Sequence, residues 1–124
     1  MSQSVKDLEI TRAAGADLSA KRYYIVKLDT AGAIVLAAAA TQNIVGVLQN
    51  KPQSGEAGIY RFGGTTKVIA GGTIAIGDWV TSDSAGKAVA TTTDGDITIG
   101  RALESAVSGD IFEVQMSVQH LYIA

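Results

Sequence analysis

The sequence has 124 residues, with ten basic and twelve acidic side chains and a formal charge of -2. A chain of this length buries about two-thirds of its unfolded surface, so one domain can hold a core without disulfides or metals. The absence of cysteine excludes thiol chemistry, and with no basic run longer than Lys21-Arg22 we expect no nucleic acid partner. The longest apolar stretch, residues 33–40, is far below the roughly 20 residues of a membrane span, so we expect no membrane partner.

The first segment, residues 1–13, mixes charged residues with Val5, Leu8 and Ile10. We predict that it is an N-terminal arm whose three apolar residues contact a partner. Leu8 and Ile10 can share one face of a strand, whereas Val5 and Ile10, an odd number apart, cannot. The alternative is that this segment is an ordinary first strand of the domain. Both interpretations stay open at this point.

The next hundred residues repeat one pattern of turns. Asp29, Gly32, Gly46 and Gly55 each recur 54 positions later, and Ala14-Gly15 recurs 56 positions later. The matching residues of the second half are Ala70, Gly71, Asp83, Gly86, Gly100 and Gly109. The sequence therefore predicts one domain over residues 14–116, made of two similar halves, 14–62 and 70–116, joined at Gly63-Gly64. Residues 117–124 are predicted to be a C-terminal tail.

Short apolar runs separated by glycines are typical of β-strands joined by tight turns. Ten candidate strands can be located, at residues 5–10, 23–28, 34–36, 44–48, 59–62, 67–70, 79–81, 87–90, 97–103 and 111–118. Asp29 with Gly32, and Asp83 with Gly86, occupy the first and fourth places that a type I turn prefers, which predicts two equivalent hairpins. The run of alanines at 37–40 is about one helical turn, so we expect a turn or a strand end there. The predicted fold is mainly β, a small barrel or sandwich with little or no helix.

The sequence offers few residues for catalysis. His120 is the only histidine and lies near the chain end, where we expect an ordinary strand or tail residue instead of a general base. Asp94-Gly95-Asp96 lacks the further carboxylates that calcium needs, so a hairpin turn is the better interpretation. We therefore predict a protein with no enzymatic activity, no metal and no cofactor.

Three strings resemble the decoration, or structural cement, proteins of tailed bacteriophages. They are Ala14-Gly15-Ala16-Asp17-Leu18 followed by the strand at 23–28, the GVLQN-K-P segment at 46–52, and the segment from Ala70-Gly71-Gly72 through Gly77-Asp78-Trp79-Val80 to Val89. The resemblance implies a small β-barrel on the outside of a phage head, commonly as trimers at local three-fold positions, that stiffens the shell. It implies no catalytic residues.

On this basis the expected partners are the chain itself, as a homotrimer, and the major capsid protein. The expected location is the outer surface of the virion, after synthesis in the host cytoplasm. The alternative is a β module that binds a small ligand or a carbohydrate.

Overall fold

The computed structural model describes residues 8–40 and 43–120, with only the backbone of His120. Short apolar runs punctuated by turns fold into ten strands, as predicted. They are β1 Leu8–Ala13, β2 Ile25–Leu28, β3 Ile34–Leu36, β4 Ile44–Leu48, β5 Ala57–Gly63, β6 Thr65–Ile69, β7 Trp79–Ser82, β8 Ala88–Thr91, β9 Ile97–Ala102 and β10 Ile111–His120. The described residues contain no helix, so none is present there that could span a membrane.

The strands form two antiparallel five-stranded sheets. Their orders are β1-β5-β4-β2-β3 and β6-β10-β9-β7-β8, which become identical when each strand is matched with the one five places later. The chain is thus a duplicated five-strand unit, and we call residues 8–63 the first repeat and residues 65–120 the second repeat. The sheets do not close into a barrel, so the sandwich is the alternative that the structure bears out.

The repeated unit is longer at both ends than sequence matching indicated. β1 corresponds to β6, so residues 8–13 of the predicted arm are a sheet strand with a counterpart in the second repeat. The last strand, β10, continues past residue 116, so residues 117–120 belong to the sheet and not to a tail. Turn residues mark the repeat in the sequence, whereas its first strands, LEITRA and TTKVI, have little in common.

The two predicted hairpin turns are built in the same way. The Asp29 Oδ1 atom accepts hydrogen bonds from the amides of Ala31 and Ala33, both at 2.9 Å. Asp83 Oδ1 accepts the equivalent bonds from Ala85 and Lys87, at 2.8 and 2.9 Å. A carboxylate that satisfies two turn amides fixes the hairpin locally, which explains why Asp occupies both positions.

The core joins the two repeats. Its larger cluster contains Ile25 and Val47 of the first repeat together with Val68, Val114 and Met116 of the second. A smaller cluster lies within the first repeat, around Val26, Leu48 and Tyr60. Backbone hydrogen bonds also cross the boundary, from Ile25 N to Gly86 O at 2.7 Å and from Ile69 N to Tyr23 O at 3.1 Å.

Candidate interaction surfaces

The predicted interface residues Leu8 and Ile10 both lie on β1, an edge strand of the first sheet. Leu8 is 53% exposed and Ile10 is 38% exposed. The other residues of the strand are exposed as well. β1 is held by β5, with Ile10 opposite Tyr60, and by an ion pair of 2.8 Å between Glu9 and Arg61. Val5, the third predicted residue, lies outside the described residues. The structure thus leaves two large apolar side chains exposed on one sheet edge.

The equivalent strand of the second repeat is covered. Ile10 of β1 lies opposite Tyr60, and Thr66 of β6 lies opposite Val114. Tyr60 and Val114 are 54 positions apart and therefore correspond in the two repeats. Ile10 and Thr66 thus occupy equivalent positions. Thr66 is only 2% exposed, and part of its cover comes from the first repeat. The Gln49 side-chain amide donates a hydrogen bond of 2.8 Å to the Thr66 hydroxyl.

Three residues of the first repeat are associated with β6: Gln49 by its hydrogen bond to Thr66, and Ile25 and Val47 by membership of the buried cluster that contains Val68. We call these three residues the acceptor face. Ile25 and Val47 are fully buried in one cluster with Val68 of β6. They are paired across β2 and β4, as Trp79 and Arg101 are paired across β7 and β9 at the equivalent positions. The second repeat therefore carries a second acceptor face.

This second acceptor face consists of Trp79, Arg101 and Leu103; Arg101 and Leu103 are exposed, and Trp79 is partly exposed. The Arg101 guanidinium lies 4.5 Å from the centre of the Trp79 ring, within the range of a cation–π interaction. Leu103 takes the place of Gln49 and is 39% exposed. Sequence reasoning missed this surface. A comparison of the two halves at equal positions could have found it, since apolar Ile25 and Val47 give way there to an aromatic–cation pair.

Carboxylates of the second repeat accept hydrogen bonds from turn amides and from a neighbouring hydroxyl group. Asp78 accepts the Ala75 amide at 2.9 Å, and Asp110 accepts the Val107 amide at 3.1 Å. Asp96, which we considered for a calcium loop, accepts a hydrogen bond of 2.6 Å from the Thr91 hydroxyl. Within residues 8–40 and 43–119, no three His, Cys, Asp or Glu side chains gather into a metal-binding group. The His120 side chain lies outside the described residues.

One exposed carboxylate in the first repeat has a perturbed acidity. The Ser19 side chain and the Ser19 amide, which is 3.1 Å from Asp17 Oδ1, lower the pKa of Asp17 below its ordinary value. This is a local turn contact and brings no second titratable group to the carboxylate. Asp17 therefore has the environment of a turn-capping residue.

A shallow cleft follows the boundary between the repeats. One part has a volume of about 450 Å³ and is lined by Tyr23, Lys67 and Ile111 among others. The adjoining part, about 340 Å³, is bordered by Arg22 and Lys51 and shares Tyr23 and Ile111. The Arg22 guanidinium lies 4.7 Å from the centre of the Tyr23 ring. The cleft is thus a consequence of stacking the two repeats, with Tyr23 at its centre.

Comparison with known proteins agrees with this architecture. Residues 2–118 match the family described as phage cement protein. The chain belongs to the phage cement protein family. The resemblance noted in the sequence is thereby confirmed, and the chain is a structural, capsid-associated protein of a phage.

A solved structure shares the fold. It is the head fiber gp8.5 N base of bacteriophage phi29, which aligns with a TM-score of 0.70 at 22% identity and covers 95% of this chain and 100% of that one. No protein with a curated description matches the sequence significantly. The fold is therefore one that occurs in another phage head protein.

Proposed function

We propose that this protein decorates the outer surface of a phage capsid as a homotrimer and stabilises the shell by binding the major capsid protein. It is made in the bacterial host cytoplasm and has no catalytic role. The observation that supports this most strongly is the family match over residues 2–118. Family membership also favours decoration over the binding of a small ligand or a carbohydrate.

The body of the protein suits such a role physically. Two sheets share one core across the repeat boundary, and the described side chains leave no buried polar atom without a hydrogen-bond partner. A rigid body loses little conformational entropy when it binds, so more of the contact energy is available for affinity. A ligand that binds the assembled shell and not its dissociated subunits stabilises the shell by mass action.

We assign the contact with a partner, either a neighbouring subunit or the capsid protein, to Leu8 and Ile10, together with Val5. Exposed edge strands readily pair with another chain, and β1 offers such an edge. Burial of each large apolar side chain would contribute about 1.5 to 3 kcal/mol. Two of them are enough to change occupancy on a capsid by orders of magnitude.

Capsids that lack the protein provide the test. Purified protein should co-sediment with them and saturate at three copies per local three-fold position. It should also raise the temperature at which the capsids disrupt. Leu8→Ser should lower occupancy while the melting temperature of the free protein stays near the wild-type value, because Leu8 is half exposed. His120→Ala is the control for a catalytic role and should bind and stabilise as the wild type does. Absence of capsid binding, or loss of stabilisation in His120→Ala, would contradict the proposal.

A further inference from the structure

We propose that subunits of this protein associate head to tail, by repeating between chains the contact that joins the two repeats within a chain. In this contact, β1 of one subunit packs on the second acceptor face, Trp79, Arg101 and Leu103, of the next subunit. The inference rests on the proposed self-association and specifies its interface. The occupant of the open face is therefore a second copy of this chain.

The contact within the chain shows what such an interface looks like. Its first side is β6, with Thr66 and Val68 buried. Its second side is the first acceptor face, with buried Ile25 and Val47. The two sides are linked by the hydrogen bond from Gln49 to Thr66 and by the backbone bond from Ile69 to Tyr23.

Both sides of this contact occur a second time in the molecule, where β1 is exposed and the second acceptor face is at least partly exposed. β1 is the counterpart of β6 and carries Ile10 in the place of Thr66. The second acceptor face carries Leu103 in the place of Gln49, since the amides of these two residues make the same backbone bond, to Ile59 and Glu113 respectively. Each subunit thus presents β1 on one surface and the second acceptor face on another.

The substitutions on the two open surfaces match each other. Inside the chain, the pair at this position is polar and hydrogen-bonded, Gln49 with Thr66. Between chains, the same pair would be Leu103 with Ile10, two apolar side chains that are 39% and 38% exposed in the isolated subunit. The polar pair within the chain thus corresponds to an apolar pair between chains. In each pair the two side chains match in polarity, as complementary packing requires.

A neighbouring position fits the same contact. Ile76, which is 71% exposed and precedes Gly77, stands where Arg22 borders the cleft of the first repeat. In that cleft Arg22 shares its lining with Ile111, whose counterpart is Ala57, so Ile76 would face a small residue of the next subunit.

The contact joins different surfaces of the two partners, so it is heterologous. Heterologous contacts close into a ring when the rotation between subunits permits it. Three subunits would then place six similar repeats around one axis, which agrees with the proposed trimer.

A double-mutant cycle on the full-length protein tests the contact. Ile10→Thr and Leu103→Gln each replace one apolar residue by its counterpart from the buried contact, so each variant keeps a side chain that this fold already accepts. Each should weaken subunit association about tenfold or more, measured by sedimentation equilibrium, because an apolar residue then faces a polar one. The double variant should recover part of the loss, since it recreates the Gln49–Thr66 pair between subunits. Val107→Gln, also exposed and also replaced by its counterpart Gln53, is the control and should associate as the wild type does.

Disulfide trapping gives an independent measurement because the sequence has no cysteine. An equimolar mixture of Ile10→Cys and Leu103→Cys, one of them carrying a size tag, should give mixed disulfide-linked dimers on oxidation. Trp79 is the only tryptophan, so its emission should also shift to shorter wavelength as the subunits associate.

The outcomes separate this inference from the proposed function. A trimer that forms unchanged in all three interface variants, and that gives no mixed disulfide, would overturn the inference and leave the proposed trimer intact. If the free protein is monomeric, the trapping is carried out on capsids, where mixed disulfides would support the contact and their absence would overturn it. A protein that does not bind capsids at all would instead contradict the proposed function.

Discussion

The first and second repeats have the same strand order and the same turns, yet they present different surfaces. Asp29 and Asp83 cap equivalent turns with the same bonds, whereas Ile25 and Val47 of the first repeat correspond to Trp79 and Arg101 of the second. The turn positions are fixed by the backbone, which has to be satisfied in both units. The side chains on the two acceptor faces depend instead on whether another part of the protein buries them. Ile25 and Val47 are buried in a cluster shared with the second repeat, whereas Arg101 is exposed to solvent.

The largest effect is expected where two strands of a repeat approach closely. A Cβ atom at Gly100 would collide with the backbone carbonyl of Gln115, and its φ of 147° disfavours any side chain. Gly46, the equivalent glycine, would meet the Arg61 carbonyl without the unfavourable φ. Gly100→Ala should therefore lower the free energy of unfolding by about 3 to 5 kcal/mol and Gly46→Ala by about 1 to 3 kcal/mol.

Chemical denaturation measures this difference. Gly55→Ala is the control, because nothing lies within 4 Å of its Cβ position and only the positive φ of 83° opposes the change. It should cost about 1 to 2 kcal/mol. Equal losses at Gly100 and Gly46 would show that the φ value at Gly100 adds no strain.

The next effect distinguishes two turns with the same internal bonds. Asp83→Ala and Asp29→Ala each remove an acceptor of two backbone amides, which should cost about 1 to 2 kcal/mol. Asp83 should cost more, because its turn also packs on the first repeat through the bond from Ile25 N to Gly86 O. Thermal unfolding of the two variants gives the comparison, with Asp29→Asn and Asp83→Asn as controls that keep an oxygen acceptor. A larger loss for Asp29→Ala would contradict the assigned role of the Gly86 turn.

A smaller effect concerns Tyr23, which has a φ of 71° where the second repeat has Gly77 with a φ of 88°. Non-glycine residues pay roughly 1 to 2 kcal/mol in this left-handed region. We expect Tyr23→Gly to be more stable than Tyr23→Ala by about 1 kcal/mol, because both lose the ring and only alanine keeps the backbone strain. Urea denaturation of the two variants measures the difference. An alanine variant as stable as the glycine variant would show that the backbone relaxes at this site.

Much of the fold could be predicted from the sequence because local rules set it. The spacing of Asp29 and Gly32, repeated at Asp83 and Gly86, predicts two hairpins, and the structure contains both. All ten predicted strands overlap an observed strand. The family resemblance is carried by these same turn-rich segments, which is why it was visible without a structure.

The surfaces could not be predicted in the same way, because burial here depends on contacts between the repeats. Hydropathy favours burial of Ile10 and exposure of Thr66, yet Ile10 is 38% exposed and Thr66 is 2% exposed. The difference arises because β6 contacts the first repeat through Gln49, whereas within residues 8–40 and 43–120 every residue of β1 is exposed. Sequence reasoning placed Leu8 and Ile10 among candidate contacts but gave no reason to compare Ile10 with Leu103.

The smallest effect concerns how β1 is held to its sheet. The Glu9–Arg61 ion pair corresponds to Thr65 and Gln115 in the second repeat, where the same cross-strand position is uncharged. Glu9 is exposed and surface ion pairs contribute about 0 to 1 kcal/mol, so Glu9→Thr should lower the free energy of unfolding by less than about 1 kcal/mol. The loss should shrink as salt is added, because mobile ions already screen the wild-type pair.

The double variant Glu9→Thr/Arg61→Gln installs the neutral pair of the second repeat and serves as the control for charge. Arg61 also donates a hydrogen bond of 2.8 Å to the Thr65 carbonyl, so Arg61→Gln alone should cost more than Glu9→Thr. A loss in Glu9→Thr that stays constant from low to high salt would show that packing, and not charge, holds β1 at this edge.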